Sequence, residues 1–339
     1  MFLGGDLSYV NEVEDDGAVF YHRGQAQDPF VILKDNGANI VRVRLWHTPT
    51  WTQYSNLADV ERTIRRAKVL NMAVMLNFHY SDTWADPAKQ IIPAAWSHIS
   101  ETDNLAHALH DYTLDVLLKL ERQGLMPDFV QVGNEINTEI LMPGPYDNQP
   151  INWQRNARLI NAGINAVRAA AIKTSTKPRI IIHIAQPENI VPWFDEALAA
   201  GIADFDVIGM SYYPKWSTHS LEQAAQTISR ARQRYGKDMM VVEAAYPWTL
   251  GAGQLDSHLL AEDCVVPAYP ATPQGQRQFL IDFTQAVCNN GGSGVVYWEP
   301  AWISTTAKPS TWENATLFDY SGAAHSGIEF LSHPYRGRE

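Results

Sequence analysis

Two glutamates carry the chemistry this sequence could perform. Glu135 lies in Gly133-Asn134-Glu135-Ile136-Asn137, and Glu243 closes the apolar run Met239-Met240-Val241-Val242. Cleavage of a glycosidic bond with retention needs such a pair, held about 5–5.5 Å apart. One carboxylate attacks the anomeric carbon; the other protonates the leaving oxygen and later deprotonates water. The tasks demand opposite protonation states. A neighbouring anion raises the pKa of the acid, while donors such as Arg44 and Tyr213 would keep the nucleophile charged. This assigns Glu135 as acid/base and Glu243 as nucleophile. The amide of Asn134 suits a sugar 2-hydroxyl, a bond that strengthens in the transition state. Taken alone, a Gly-Asn-Glu tripeptide more often closes a strand in a structural ion pair, so the case rests on the whole set.

The elements that must position these residues alternate along the chain. Near-continuous apolar runs predict strands at Phe2–Leu7, Ile40–Leu45, Ala73–Phe78, Phe129–Val132, Ile180–Ile184, Val207–Met210, Met239–Val242 and Val295–Trp298. Such runs suit parallel strands covered on both faces. Helical patterns fall between them, at Ala58–Leu70, Asn104–Gln123, Trp153–Ala171, Val191–Ala200, Leu221–Tyr235 and Gln274–Asn289. Eight strands with helices in nearly every gap predict a single-domain (β/α)8 barrel with long βα loops over residues 1–339. A doubly wound sheet would want a Gly-rich turn after its first strand; Gly4-Gly5 precedes that strand's end.

A barrel works at the C-terminal ends of its strands, and unusual polar residues collect there. In Val41-Arg42-Val43-Arg44-Leu45-Trp46, Arg42, Arg44 and Trp46 share one face. Two inward arginines need acidic partners, because an unpaired buried charge is costly. His79, His183 and Tyr213 also fall at strand ends. A lone histidine there is more often scaffold than catalyst, so His79 and His183 are cast as binding or orienting residues. They stand on separate strands without a His-x-His pair, and Asp82 and Asp86 lie in a loop. No metal site is expected. Nine of eleven tryptophans, Trp46, Trp51, Trp84, Trp96, Trp216, Trp248, Trp298, Trp302 and Trp312, fall in segments that follow strands. Each either offers a sugar a flat apolar face or staples a loop to the barrel. Trp298 is the best candidate for the floor beneath the cleaved sugar, and several platforms imply a groove and an internal cut.

Composition bounds the alternatives. A net charge of −11 opposes a nucleic-acid partner or an anionic membrane surface. No apolar run reaches the roughly 18 residues of a membrane span. The opening Met1-Phe2-Leu3-Gly4-Gly5-Asp6 lacks the basic and apolar regions of a signal peptide. Cys264 and Cys288, 24 positions apart, match no zinc or redox spacing, which leaves free thiols or one disulfide.

These residues resemble a known family. The stretch Asn77-Phe78-His79-Tyr80-Ser81-Asp82-Thr83-Trp84-Ala85-Asp86-Pro87, the segment Gly133-Asn134-Glu135-Ile136 and the run Tyr297-Trp298-Glu299-Pro300-Ala301-Trp302 are similar to endo-β-1,4-galactanases of glycoside hydrolase family 53. So are Gly5-Asp6-Leu7-Ser8, Val41-Arg42-Val43-Arg44 and Pro273-x-Gly275-Gln276, in the family's order. The resemblance implies a clan A barrel with retaining chemistry, Glu135 as acid/base and Glu243 as nucleophile. It implies substrate-binding roles for Arg44, His79, Asn134, His183, Tyr213 and Trp298, to which Asp86 is added. The implied substrate is the β-1,4-galactan side chain of pectin or type I arabinogalactan, met outside the cytoplasm by a secreted or periplasmic monomer. Some bacterial members of the family hold calcium after the seventh strand. Here that loop, Leu250 to Leu260, offers few oxygen ligands, so no cofactor, calcium included, is expected. The rival readings are a clan A enzyme acting on mannan, xylan or glucan, a non-catalytic sugar-binding barrel, and a metal-dependent amidohydrolase.

Overall fold

The protein is described here from a computed structural model covering residues 1–337; the last two positions of the span 1–339 expected for the domain, Arg338 and Glu339, lie outside the described residues. Eight strands close a parallel barrel in chain order. They are β1 (Phe2–Asp6), β2 (Ile40–Leu45), β3 (Ala73–Phe78), β4 (Phe129–Val132), β5 (Arg179–Ala185), β6 (Val207–Tyr212), β7 (Asp238–Ala244) and β8 (Gly294–Tyr297). Closure comes from β1, which pairs with β8 from Phe2↔Gly294 to Gly5↔Tyr297 and with β2 from Gly4↔Ile40 to Asp6↔Arg42. The tight approach needs a glycine at position 4, where a Cβ would stand 1.8 Å from the Ile40 carbonyl oxygen.

Successive strand residues face opposite ways, and the two faces meet different surroundings. Ile40, Met75, Phe129, Ile181, Val207, Met240, Val242 and Val296 form a buried cluster of their own. The other strand face joins the helices in the larger core, which includes Val41, Val43, Leu76, Val130, Ile182 and Val241. Two positions on from Ile40, Met75, Phe129 and Ile181 come Arg42, Asn77, Gln131 and His183, all buried. The barrel interior is thus apolar at its base and polar toward the C-terminal ends of the strands.

Long helices cover the outside at Leu57–Val69, Thr102–Arg122, Trp153–Ile172, Pro187–Ala199, Leu221–Tyr235 and Pro273–Asn289. Asn56, Asn152, Ser220 and Thr272 cap four of them, Ser220 in a reciprocal box with Gln223 and Thr272 ahead of a proline at the first turn. The β1–β2 connection holds two further helices, Val10–Asp15 and Pro29–Asp35, and a small hairpin of Tyr21–His22 with Gln25–Ala26. At six and seven residues these helices are too short for a 3.6-residue period to register in the sequence. Connections entering the strands are short, such as 70–72 and 290–293, while those leaving them are long: 79–101, 133–152, 245–272 and 298–325. Those long loops wall a cleft at one end of the barrel. Both cysteines are free thiols.

Candidate active site

The cleft encloses about 700 Å³ at the C-terminal mouth of the barrel. Its walls include Arg44, His79, Asp86, Asn134, Glu135, Tyr213, Glu243 and Trp298, so all but one of the residues given a catalytic or substrate-binding role from sequence converge there. The exception is His183, which is fully buried beneath the mouth. Strand alternation explains the correction: Ala185, two residues further along β5, takes the wall position and leaves His183 one step below it.

Backbone strain presents Glu135. Gly133 has φ +82° and Glu135 itself φ +46°, a left-handed conformation costly for a residue with a Cβ. The turn lifts Glu135 off the end of β4 toward Glu243 at the end of β7. A carboxylate oxygen of one lies within 4.8 Å of a carboxylate oxygen of the other. That separation suits retention and is short of the roughly 6.5–9.5 Å that inversion requires.

The surroundings of the two carboxylates differ. Glu243 is buried; its Oε1 receives Arg42 Nη2 at 2.8 Å and its Oε2 receives the Tyr213 hydroxyl at 2.9 Å. Burial lifts its pKa, against the Arg42 charge and the tyrosine hydrogen bond. Among the described residues Glu135 has only the Ser211 hydroxyl, donated to Oε1 at 2.6 Å. Burial first, and then the nearby Glu243 charge, push its carboxyl well above the ordinary range. The first proton the pair takes up therefore sits on Glu135, as an acid/base opposite an anionic nucleophile requires.

Arg44, expected to hold the nucleophile charged, does not reach it. Its Nη1 donates to Glu299 Oε1 at 2.6 Å, and its guanidinium lies 4.1 Å from the Tyr9 ring, 4.4 Å from Trp84 and 4.8 Å from Trp46. Arg42, one inward position deeper, reaches Asp6 as well as Glu243, with Nη1 to Asp6 at 2.8 Å. Both arginines face inward, and depth in the barrel decides which one meets the nucleophile. Sequence reasoning gave neither Asp6 nor Glu299 a role; both sit at strand ends, and the need to neutralise two buried arginines was the signal for them.

Arg42 can only donate, and this orients the amides around it. Asn134 Oδ1 accepts from Arg42 Nη2 at 2.7 Å and from Asn77 Nδ2 at 2.9 Å. Its Nδ2 therefore points the other way, giving one hydrogen to the Ala85 carbonyl at 2.8 Å and keeping a second for a ligand. His79 accepts the Ala85 N–H on Nδ1 at 3.2 Å, so its proton is on Nε2. Burial and the two arginines hold its pKa well below the usual histidine range.

Of the nine loop tryptophans, Trp84, Trp216, Trp298, Trp302 and Trp312 line the cleft. Trp298 packs edge-on against Trp312 at 4.5 Å and Trp302 at 6.0 Å, and Trp302 stacks on Tyr9 at 3.8 Å. Trp46, Trp51, Trp96 and Trp248 are not in its walls and act as loop staples. Trp248 Nε1, for example, donates to the Glu313 carbonyl at 3.1 Å. Gln276 of the Pro273-x-Gly275-Gln276 motif is another staple: its Nε2 lies within 3.2 Å of the Tyr246 carbonyl, the Tyr297 hydroxyl and the Thr316 carbonyl, joining the loops after β7 and β8.

Comparison with known proteins points to one family. The sequence profile of glycosyl hydrolase family 53 matches residues 2–331. The chain is 51% identical over 324 residues to an arabinogalactan endo-β-1,4-galactanase of Cellvibrio japonicus, covering 94% of this chain and 86% of that protein. Among solved structures, the GH53 catalytic domain of Ignisphaera aggregans superposes with a TM-score of 0.89 at 30% identity, covering 99% of this chain and 96% of that one. A structure from a study of two fungal β-1,4-galactanases gives 0.85 at 33% identity, covering 98% and 99%.

Proposed function

Because the chain belongs to glycosyl hydrolase family 53, we propose that it is an endo-β-1,4-galactanase that hydrolyses galactan or type I arabinogalactan by double displacement. The approach of Glu135 and Glu243 to within 4.8 Å carries the mechanism. In the first step a Glu243 oxygen bonds to the anomeric carbon, the bond to the leaving sugar oxygen breaks, and Glu135 gives that oxygen its proton. In the second, Glu135 takes a proton from water, the water oxygen bonds to the anomeric carbon, and the bond to Glu243 breaks. Arg42 and Tyr213 stabilise Glu243 as an anion between turnovers. The spare Asn134 N–H is placed for the 2-hydroxyl, and Trp298 supplies a flat face for the ring. Neither step needs a cofactor.

The substrate assignment rests on the names borne by the relatives and on the aromatic cleft, which is open enough for an internal cut. A polymer of that size is met outside the cytoplasm, and one barrel holds the whole carboxylate pair, so the reading has the enzyme working there as a monomer. Among the described residues no helix is long and apolar enough to cross a membrane. The test is reducing-sugar release from a panel of galactan, mannan, xylan and β-glucan, with products resolved by size. Release from galactan alone, with oligosaccharides of several lengths appearing early, supports the reading. Comparable release from mannan or xylan, or galactose as sole product throughout, overturns it. A chelator should leave the rate unchanged, and restoration of a lost rate by calcium would contradict the cofactor-free scheme.

A further inference from the structure

Behind the carboxylate pair lies a line of buried polar side chains that the catalytic scheme above does not use: Gln131 on β4, His183 on β5 and Ser211 on β6. All three have 0% exposure, so every hydrogen-bonding atom they carry must be matched inside the barrel. Arg42 sets the direction of the whole line. Its Nε donates to Gln131 Oε1 at 3.2 Å, which turns Gln131 Nε2 toward His183 Nδ1 at 2.8 Å. The other hydrogen of that amide goes to Asn77 Oδ1, also at 2.8 Å. His183 Nδ1 accepts from Gln131, and the Glu135 backbone N–H points at it too, at 3.3 Å. An imidazole that accepts on Nδ1 carries its proton on Nε2. His183 Nε2 lies 2.8 Å from Ser211 Oγ, so it donates there. With its lone pair engaged, the Ser211 hydroxyl gives its own proton to Glu135 Oε1 at 2.6 Å. The β6–β7 pairing shifts register between Met210 and Ser211, which sets Ser211 beside Glu243 and within reach of Glu135.

We propose that Gln131, His183 and Ser211 are positioning residues that fix Glu135 Oε1 as a permanent hydrogen-bond acceptor, so that Oε2 alone carries and returns the catalytic proton. Oε2 has no protein hydrogen-bond donor among the described residues, whereas Oε1 has Ser211. The proposal rests on the acid/base role of Glu135 and adds to it the choice of oxygen and the means of choosing. It also requires a neutral His183, since an imidazolium could not accept from Gln131. Burial and the Arg42 charge hold its pKa well below the usual range. The other groups acting on Glu135 are Glu243 and Asp86, which favour its protonated form, and Arg42, which opposes it; the Tyr213 hydroxyl faces the same carboxylates. Ser211 stabilises the ionised form of Glu135, so its removal should raise the pH at which the acid is lost.

The experiment is the pH profile of kcat/KM on galactan for the whole enzyme and for Ser211→Ala, Ser211→Thr and Ser211→Cys, with circular dichroism to confirm folding. Ser211→Ala should lower the rate and move the alkaline limb up by roughly one pH unit, as loss of a hydrogen bond to a carboxylate predicts. Ser211→Thr, which restores a hydroxyl, should return the limb to the parent position. Should Ser211→Ala fail to fold, the near-isosteric Ser211→Cys replaces a strong donor by a weak one and must shift the limb in the same direction. A lower rate with an unmoved limb in the folded variants, or a limb moved down, overturns the proposal. Glu135→Gln separates this from failure of the catalytic assignment. If it slows activated aryl galactosides as much as galactan, Glu135 is not the acid, and the limb belongs to another group.

Discussion

At the scale of single residues, Glu243 receives the charged Arg42 and the Tyr213 hydroxyl while Glu135 receives the neutral Ser211 hydroxyl, and that difference assigns the chemistry. Glu243→Ala should lower turnover on galactan by about 10⁴-fold or more while galacto-oligosaccharide binding persists, because it removes the attacking atom and leaves the cleft walls in place. Isothermal titration beside a reducing-sugar assay checks both halves. Tyr213→Phe deletes only the hydroxyl donor on Glu243 Oε2, and its expected cost is about 10–100-fold in kcat with the fold intact. An unchanged kcat would mean that Arg42 alone sustains the nucleophile. Much of this was legible in the sequence: Glu135, Glu243, Asn134, Tyr213 and Trp298 each sit where a strand ends. Less legible was how deep each inward side chain reaches. Period-two alternation puts Arg42 and Arg44 on the same face, yet one binds Glu243 and the other Glu299. The same limit placed His183 in the cleft, although it lies one inward step beneath it. The sequence assigns Gln131 and Ser211 no role, because a neutral side chain in or at the end of an apolar strand carries no charge demanding a partner.

At the scale of elements, the turn after β4 is the feature on which presentation of the acid depends. Gly133 is at φ +82°, and a Cβ there would stand 2.5 Å from Ile136 Cγ2. Gly133→Ala should therefore cost about 1–3 kcal/mol, from the left-handed strain and the contact together. It should also lower kcat, because relief of the strain moves Glu135. Urea unfolding checks the first effect and a rate assay the second; a variant as stable and as active as the parent would show the turn to be permissive. The strands were readable because a strand covered on both faces is a continuous apolar run, and the long helices because their caps and lengths mark them. The two short helices between β1 and β2 were not, since one or two turns leave no period to read. The hairpin of Tyr21–His22 with Gln25–Ala26 pairs only two residues on each side and has exposed or half-buried side chains, so it carries no apolar alternation.

At the scale of the whole molecule, a barrel that holds a carboxyl group at a raised pKa gives up stability when that group ionises. Glu135 has an ordinary value of 4.5 and is shifted up in the folded state by burial and by Glu243. Between the two values the folded protein holds a proton that the unfolded chain has released, so stability falls as pH rises through that window. Glu135→Gln mimics the protonated side chain and escapes this loss. Its thermal midpoint should exceed the parent's by on the order of a few degrees at pH 9, with a much smaller gap at pH 5. His79 and His183, both shifted down, cost stability as pH falls below 6.5, but in both proteins alike, so the difference cancels them. A gap that stays constant with pH would show Glu135 ionising in the folded state at its ordinary value, and one that shrinks would put it lower still. The central claim is that the two carboxylates meet closely enough for one sugar to be attacked by Glu243 and released by Glu135. The measurement that bears on it most directly is the anomeric form of the first product, followed by proton NMR in the opening minutes of galactan digestion. The β-anomer forming first, and mutarotating to the α-anomer only later, is the outcome this geometry predicts; the α-anomer forming first would contradict it.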